Sequence, residues 1–357
     1  MPKIRVLVVD DAVVFRRLVA DELSTDPAIE VVGTAANGRL ALAKLDQLNP
    51  DLVILDIEMP ELDGLATLRE IRKTRPRLPV IMFSALTERG AAASLDALSL
   101  GATDYFAKPV SAGGLDASRK VLRDELIPEI KALCGRPAKG SLPTPCPIPA
   151  PAASPARPAA AVVEVVAVAA STGGPNALAD VFAGLPADLP VPVVVVQHMP
   201  PTFTRLLAQR LSAHSAIQVE EAPPGGVLRP GHAWLAPGDF HLAVGREGGQ
   251  VRTRLSQDPA ENSCRPAADV LFRSVARVFG PGALAVVLTG MGQDGLRGCE
   301  AIRAAGGQVL VQDEATSVVW GMPGYVARAG LADRVLPLGL VGPEVVRRVR
   351  AGRGARP

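Results

Sequence analysis

The sequence has little of several features that mark large classes of protein. Aromatic residues make up only 3% of its 357 residues, so stacking of nucleic-acid bases on aromatic side chains has little support. The four cysteines show no Cys-x-x-Cys spacing, which argues against a zinc site or a disulfide framework. The net charge of +2 gives no strong attraction to DNA or to an anionic membrane. With 48% hydrophobic and 21% charged residues, the composition is that of a globular protein.

Long hydrophobic runs are also missing. Near the N-terminus, the apolar residues 6–9 are followed at once by two aspartates, and this run is too short for a signal peptide. No stretch approaches the ~18 apolar residues of a membrane helix. We therefore expect a cytoplasmic protein with no direct membrane insertion. The length of the chain favours about two domains.

A segment rich in proline and alanine divides the chain. Between residues 136 and 161 prolines recur at close intervals, and proline supports neither helix interiors nor sheet ladders. Such a segment is expected to be an extended, semi-rigid tether. The sequence thus predicts a first domain over residues 1–135, a linker over 136–161 and a second domain over 162–350.

In the first domain, apolar runs alternate with helical patterns. Five βα units predict a doubly wound, five-stranded parallel sheet, with the chemistry at the carboxyl ends of the strands. The predicted strands are 5–9, 30–35, 52–55, 80–83 and 104–107, and segments such as 14–23 and 39–48 have helical spacing.

Polar side chains follow four of these predicted strands. They are Asp10 and Asp11 after the first, Asp56 after the third, Ser84 after the fourth and Lys108 after the fifth. Three carboxylates at one sheet edge repel each other, and Mg²⁺ suits such a cluster. A lysine and a hydroxyl nearby can then stabilise a phosphoryl group on Asp56. Acids scattered over surface loops, the alternative, would not place such different side chains at four successive strand ends.

These residues, with the segment 53–64 around the third strand end, resemble a response-regulator receiver domain over the whole first segment. The resemblance implies that Asp56 accepts the phosphoryl group. It also implies that Asp10 and Asp11, together with Asp56, bind Mg²⁺. Ser84 and Lys108 are the phosphoryl-sensing groups that it implies.

Two further features follow from the same resemblance. A cis peptide bond is implied before Pro109. Tyr105 matches the aromatic switch position of the family, and a tyrosine of the core is the alternative interpretation of the same residue.

The second domain is organised around residues 165–175, where an apolar, β-branched run ends in a hydroxyl, two glycines and a proline. Residues 162–168 predict a buried strand, and the glycines and Pro175 predict a tight turn into a helix. Ser171 then lies at a strand end, facing helix N-terminal amides that can stabilise an oxyanion. Capping of that helix by Ser171 explains the stretch equally well.

Two more apolar runs lead to reactive side chains. Residues 193–196 precede His198, and residues 283–288 precede the loop that carries Asp294. If the strands are parallel, these side chains and Ser171 meet at one sheet edge, as nucleophilic acyl transfer requires. Asp313 also follows a predicted strand, and position alone does not choose between the two acids. The glycines around Asp294 favour its loop, because they permit close backbone approach.

The order serine, histidine, aspartate and the absence of a Gly-x-Ser-x-Gly motif argue against an α/β-hydrolase. The second domain instead resembles the catalytic domain of the chemotaxis protein-glutamate methylesterase family, CheB. The matching blocks are residues 170–175, 197–200, 236–239, 265–266, 269–272, 288–295 and 321–323.

This resemblance implies a doubly wound, mostly parallel α/β esterase domain. Ser171 is then the nucleophile, His198 the base and Asp294 the orienting acid, which is preferred over Asp313. Thr172 and Met291 match family positions beside the oxyanion and the histidine.

The chain departs from the family pattern near the predicted site. Ala169 stands where the family usually has glycine, and it bears on the backbone that enters the nucleophile turn. Cys264 stands where the family usually has histidine, near Ala267 in place of a usual serine. This second departure bears on any substrate contact of that loop and leaves the three predicted catalytic residues in place.

A receiver followed by this esterase implies phosphorylation-regulated hydrolysis of glutamyl methyl esters on chemoreceptors. The reaction releases methanol, and deamidation of receptor glutamines is the implied second activity, so that the protein supports chemotactic adaptation. The implied phosphodonor is a chemotaxis histidine kinase. Mg²⁺ belongs to the receiver, whereas the esterase reaction needs no cofactor, and no nucleic-acid partner is expected.

Two alternatives remain at this point. The same esterase chemistry can serve a chemosensory pathway that does not steer motility. A non-enzymatic response regulator can use its second domain to bind DNA or a protein, although residues 162–350 contain no basic recognition helix.

Overall fold

In the computed structural model, the chain divides into two compact units, one on each side of residue 150. The structure describes residues 2–109, 114–135, 161–351 and 353. Almost all of the predicted linker, residues 136–160, lies outside them. None of the helices within the described ranges is both long and apolar enough to cross a membrane.

The first unit contains a five-stranded parallel sheet with the strand order β2-β1-β3-β4-β5. This is the doubly wound order expected for a parallel sheet with helices on both faces. The strands are β1 Ile4–Val9, β2 Ile29–Ala35, β3 Leu52–Asp56, β4 Val80–Ser84 and β5 Asp104–Ala107. The helices are α1 Val13–Leu23, α2 Gly38–Leu48, α3 Gly64–Thr74, α4 Glu88–Ser99, α5 Gly114–Val121 and α6 Ile127–Cys134, with a π-helical turn Leu122–Leu126 between the last two.

The core of this unit is formed by strands that are buried on both faces. All residues of β3 and β4 are buried, as parallel strands covered by helices require. Three helices begin at a side chain that accepts a hydrogen bond from the first turn: Asn37 before α2, Asp63 before α3 and Thr87 before α4. The five predicted strands and their parallel arrangement are confirmed.

The cis bond implied before Pro109 is not found. Among the described residues, the cis peptide bond joins Arg265 and Pro266. The two isomers of a bond before proline differ by only about 0.5–1 kcal/mol, so the surrounding structure selects between them.

The second unit contains a seven-stranded sheet with the order β14-β13-β12-β6-β7-β9-β8 and a separate antiparallel hairpin, β10-β11. Every neighbouring pair in the large sheet is parallel. The strands are β6 Val165–Ala170, β7 Val193–Gln197, β8 Gln218–Glu221, β9 His232–Leu235, β10 His241–Glu247, β11 Gln250–Ser256, β12 Ala283–Val287, β13 Gln308–Gln312 and β14 Arg334–Leu336. The helices are α7 Gly174–Ala183, α8 Phe203–His214, α9 Ala268–Phe279, α10 Leu296–Ala304, α11 Met322–Arg328 and α12 Leu338–Arg350, with a 3₁₀ turn Gly280–Gly282.

Strand β6 begins three residues later than the sequence predicts and continues to Ala170. Val165 is the first of its residues in register with a neighbour, Ala283 of β12. Val163 is nevertheless fully buried. The apolar run thus marks burial, whereas the strand starts only where a neighbouring strand is available for pairing.

The position of β6 in the sheet sets the place of the candidate catalytic residues. It lies between β7 and β12, so the chain leaves β6 in one direction and later returns to its other side. In an open parallel sheet, such a switch of direction creates a crevice at the carboxyl ends of the strands. Ser171, His198 and the loop of Asp294 follow these three adjacent strands.

Candidate active site and acidic cluster

Ser171 lies in a tight turn between β6 and α7. Its N–H donates to the carbonyl of Thr289 at 3.0 Å, and its carbonyl accepts from the N–H of Gly174 at 2.7 Å. Gly173 has a φ of +72°, and a Cβ there would lie 2.6 Å from the Val318 side chain. This turn therefore requires glycine for both conformational and steric reasons.

Ser171 does not cap α7. The residue before the helix is Gly173, and no side chain makes a capping hydrogen bond there. The side chain of Ser171 is half-buried, and its hydroxyl forms no hydrogen bond with any residue in the described parts of the chain. The capping interpretation of this stretch is therefore wrong.

His198 follows β7 directly beside Ser171. Ala170 and Gln197 are register partners, and the N–H of His198 donates to the carbonyl of Ala170 at 3.2 Å. The side-chain amide of Gln197 donates to the carbonyl of Ser171 at 2.9 Å and to that of His198 at 3.3 Å. Gln197 thus ties the two turns together, a role that the sequence analysis missed. The sequence signal for this role was a glutamine side chain at the end of a buried run of valines.

Asp294 forms a hydrogen bond with the imidazole of His198. Its Oδ2 lies 2.8 Å from Nε2 of the ring. Burial raises the pKa of the Asp294 carboxyl, but the hydrogen bond and charge of His198, with two backbone amides at the start of α9, outweigh it and lower the pKa. Asp294 is thus held as a carboxylate. Its other donors are the N–H groups of Ala268 at 2.6 Å, Asp269 at 3.0 Å and Gly295 at 3.0 Å, and the amide of Asn262 at 3.0 Å.

The rival acid, Asp313, has a different partner. Its Oδ1 accepts hydrogen bonds from the N–H and the hydroxyl of Thr316, at 3.0 and 2.6 Å. It thereby stabilises the turn after β13. The geometry pairs His198 with Asp294 and not with Asp313.

Both ring nitrogens of His198 have a partner. Nδ1, on the side away from Asp294, lies 3.5 Å from Sγ of Cys264. Burial disfavours the imidazolium and lowers the pKa of His198, but the bonds to Asp294 and Cys264 outweigh it and raise the pKa to about 10. The contact with Cys264 gave no signal in the sequence beyond the departure from the family pattern.

The two other predicted neighbours lie around the same turns. Thr172 is buried, and its carbonyl accepts from the hydroxyl of Thr289 at 2.9 Å. Met291 is half-buried and directly follows Gly290. A Cβ on Gly290 would lie 2.8 Å from Cβ of Ser171 and 2.4 Å from Sδ of Met322, so this glycine permits the close packing of the loop after β12 against the serine.

The acidic residues predicted in the first unit form one cluster. Asp10, Asp11 and Asp56 each offer a carboxylate oxygen, and these oxygens all lie within 4.8 Å of one another. Nζ of Lys108 lies 2.7 Å from Asp10 Oδ2 and 2.8 Å from Asp56 Oδ2. Three hard oxygen ligands this close together suit a divalent cation such as Mg²⁺.

The electrostatics of this cluster favour added positive charge. Burial raises the pKa of Asp56 to about 6; Lys108 opposes this shift, and the charges of Asp10 and Asp11 add to it.

Ser84 lies buried at the end of β4, where its hydroxyl donates to the carbonyl of Ala85 at 3.2 Å. All five polar residues predicted at strand ends are thus located at the carboxyl edge of the first sheet.

Together, the two units define a class of protein. The first has the sheet order and the acidic edge of a receiver. The second has a serine, a histidine and an aspartate at the switch point of a parallel sheet. The chain is thus a response regulator with an α/β enzyme as its second unit.

Comparison with known proteins identifies the family. The CheB methylesterase model matches residues 166–345, and the response regulator receiver domain model matches residues 6–119. A protein-glutamate methylesterase/protein-glutamine glutaminase of Trichodesmium erythraeum is 54% identical over 353 residues, covering 98% of this chain and 100% of the relative. A protein of the same name from Nocardioides sp. is 55% identical over 359 residues, covering 99% and 97%.

A solved structure agrees with this assignment. The crystal structure of the Thermotoga maritima CheB methylesterase catalytic domain is 40% identical, has a TM-score of 0.51, and covers 52% of this chain and 98% of that chain. The chain belongs to the CheB family of protein-glutamate methylesterases/protein-glutamine glutaminases. It combines both enzymatic activities with a receiver domain that regulates them, so the non-enzymatic alternative is not retained.

Proposed function

We propose that this protein removes methyl groups from glutamyl esters of chemoreceptors, with Ser171, His198 and Asp294 as the catalytic residues. The observation that carries the proposal is the 2.8 Å pair between His198 Nε2 and Asp294 Oδ2, on the strand-end turn next to Ser171. Deamidation of receptor glutamines uses the same site. Chemotactic adaptation is the role proposed for both reactions, and a chemosensory pathway that does not steer motility is the alternative.

In the first half-reaction, Ser171 Oγ attacks the ester carbonyl carbon. Because Nε2 of His198 donates to Asp294, Nδ1 is the ring nitrogen that takes the serine proton. The oxyanion of the tetrahedral intermediate is stabilised by amides at the start of α7. When the intermediate collapses, the carbon–oxygen bond to the methoxy group breaks, and methanol leaves with the proton from Nδ1.

In the second half-reaction, water attacks the acyl group on Ser171. His198 again accepts a proton, now from the water, and returns it to Ser171 Oγ as the glutamate carboxylate is released. For a glutamine substrate the first leaving group is ammonia. Asp294 keeps the ring oriented and stabilises the imidazolium in both halves.

In the receiver, Asp56 is the proposed phosphoryl acceptor and a chemotaxis histidine kinase the proposed donor. Asp10, Asp11 and Asp56 would hold Mg²⁺, which when bound neutralises charge on the transferred group. Lys108, already within 2.8 Å of Asp56, is placed to pair with a phosphoryl oxygen, and Ser84 is the proposed hydroxyl partner.

The proposed domain boundaries remain residues 1–135 for the receiver, 136–161 for the linker and 162–350 for the catalytic domain. The two compact units and the matched ranges 6–119 and 166–345 support them. The cytoplasm is the proposed location, because both the kinase and the receptor segments that carry methyl esters would be met there.

The function is tested by incubating the protein with receptor membranes that carry methyl-labelled glutamates and measuring volatile methanol. We expect release that depends on time and on enzyme concentration. Membranes labelled on a protein other than the receptors are the control. Release from the control at the same rate, or none from the receptors, would contradict the proposed substrate.

Asp56→Asn is expected to remove acid-labile phosphorylation by a histidine kinase, because the amide cannot form the acyl phosphate. Labelling of the unaltered protein should require Mg²⁺ and disappear with a chelator. Asp46→Asn is the matched control, since Asp46 is an exposed carboxylate on α2 that pairs with Arg75. Labelling that persists in Asp56→Asn would place the phosphoryl group on another residue.

We expect the unphosphorylated receiver to restrain the esterase. The segment from residue 162 onward should then release methanol faster than the unphosphorylated full-length protein, and phosphorylation should raise the full-length rate. A coupling free energy of about 1–3 kcal/mol corresponds to several-fold to about a hundredfold. The catalytic domain of the Thermotoga maritima relative is a separate crystallised chain, which supports testing this segment alone. Equal rates for both unphosphorylated forms would rule out inhibition.

A further inference from the structure

The unusual contact in the second unit is that of Cys264 with His198. Because Nε2 faces Asp294 at 2.8 Å, the neutral ring carries its proton on Nε2 and has its lone pair on Nδ1. Sγ of Cys264 lies 3.5 Å from this nitrogen. In the described parts of the chain, no hydrogen bond links the Ser171 hydroxyl to it.

The loop that carries Cys264 is held from both sides. Glu261 and Cys264 exchange two backbone hydrogen bonds, at 3.1 and 2.9 Å, around Asn262 and Ser263, which have φ values of +52° and +62°. The carboxylate of Glu261 pairs with both terminal nitrogens of Arg273, at 2.7 and 2.6 Å. The amide of Asn262 donates to Asp294 itself. A tightly tied turn therefore fixes the thiol against the ring.

We propose that Cys264 is a positioning residue that restrains the catalytic base, by occupying the Nδ1 face of His198 that Ser171 needs. The inference rests on the proposed roles of Ser171 and His198. A sulfur that accepts a hydrogen bond from Nδ1–H stabilises the imidazolium and keeps the serine hydroxyl away from this nitrogen. A thiolate at the same place stabilises the imidazolium, which cannot accept a proton. Both states of the sulfur reduce the fraction of His198 that can act as a base.

The charged side chains on the loop of Cys264 and at the start of α9 have other partners. Asp269 accepts from the amide of Asn262 and from the N–H of Gly298, at 2.9 and 2.6 Å. Glu261 is paired with Arg273, as described above. Arg265, the residue after Cys264, binds Asp239, and its Nε lies 3.0 Å from Oδ1 of that carboxylate. Within the described residues, Asp294 and Cys264 are therefore the groups that directly set the charge state of His198.

The test is the pH dependence of kcat/KM for methanol release, measured with the full-length protein. In Cys264→Ala, the acid limb is expected to move to lower pH by about one unit, which corresponds to up to about a tenfold higher rate at neutral pH. The direction of this shift follows from the change in the pKa of His198. Removing a partner that favours the imidazolium lowers this pKa, so more free base is present at pH 7. Cys264→Ser, of nearly the same size and far less acidic, should shift the limb in the same direction.

Cys134→Ser is the matched control, because Cys134 lies on α6 of the first unit, and its pH profile should not change. An unchanged midpoint in both Cys264 variants, or a loss of rate at every pH without a shift, would overturn the proposal and leave the cysteine with a structural role. If Cys264→Ala does not fold, as judged by thermal unfolding, the near-isosteric serine variant decides alone.

Failure of the proposed function has a different signature. If Ser171→Ala still releases methanol while Cys264→Ala does not, the nucleophile is the thiol, and the catalytic assignment is wrong together with the restraint. If Ser171→Ala is inactive and the Cys264 variants show no shift, only the restraint is wrong.

Discussion

Ser171→Ala and His198→Ala are each expected to lower the rate of methanol release by about 10⁶-fold, the cost of losing the nucleophile or the base of a serine triad. Without the hydroxyl no acyl-enzyme forms, and without the ring no group accepts its proton. The measurement is single-turnover release of labelled methanol from receptor membranes. Circular dichroism should show an intact fold, because both residues lie in turns outside the strands.

The double variant sharpens this test. Since the two residues act in one proton transfer, the double variant should be no slower than either single variant. Thr316→Ala is a suitable control, because its hydroxyl binds Asp313 and the N–H of Leu338 and, within the described residues, forms no hydrogen bond with Ser171, His198 or Asp294. Rates within tenfold of the unaltered protein for either single variant would contradict the assignment.

Asp294→Asn is expected to lower kcat by about 10⁴-fold, as for the acid of a serine-protease triad. The carboxylate fixes the tautomer with the proton on Nε2 and stabilises the imidazolium. An amide can present its NH₂ group to Nε2 instead, which favours the wrong tautomer. Because Asp294 is buried and accepts two amide bonds at the start of α9, some loss of stability should accompany the loss of rate.

Asp313→Asn is the matched control for this prediction. It removes the same charge at the end of a neighbouring strand, but in the described parts of the chain its carboxylate accepts hydrogen bonds from Thr316 and not from His198. Its kcat should stay within a few-fold of the unaltered protein. A larger loss in Asp313→Asn than in Asp294→Asn would show that the acid is assigned wrongly, and thermal unfolding of both variants would separate that outcome from simple instability.

The sequence was sufficient to predict much of the fold. Strand β5 runs from Asp104 to Ala107 as predicted, and the other predicted strands of the first unit differ by about a residue at their ends. Buried parallel strands leave a strong signal, because both of their faces must be apolar. The start of β6 could not be predicted to the residue, because the buried residue Val163 lies before the strand and belongs to the same apolar run.

The sequence indicated which residues of the candidate site lie near one another, but not which contacts they make. Residue types at strand ends indicated Ser171, His198 and both possible acids, because parallel strands bring their carboxyl ends to one edge. The choice between Asp294 and Asp313 depends on which carboxylate reaches Nε2. The sequence supplied that choice only through resemblance, whereas in the structure it rests on a distance of 2.8 Å.

The sequence by itself determined two α/β units, a proline-rich segment between them, an acidic receiver edge and a serine, histidine and aspartate at strand ends. These properties are local or periodic, and a periodic pattern can be recognised along the chain. Only the tertiary structure decided that Gln197 joins the turns of Ser171 and His198, that Gly173 and not Ser171 precedes α7, and that Cys264 faces Nδ1. The contacts of Gln197 and Cys264 join residues 26 and 66 positions apart. Their geometry depends on strand register and loop conformation, which packing of the whole domain sets and no local pattern encodes.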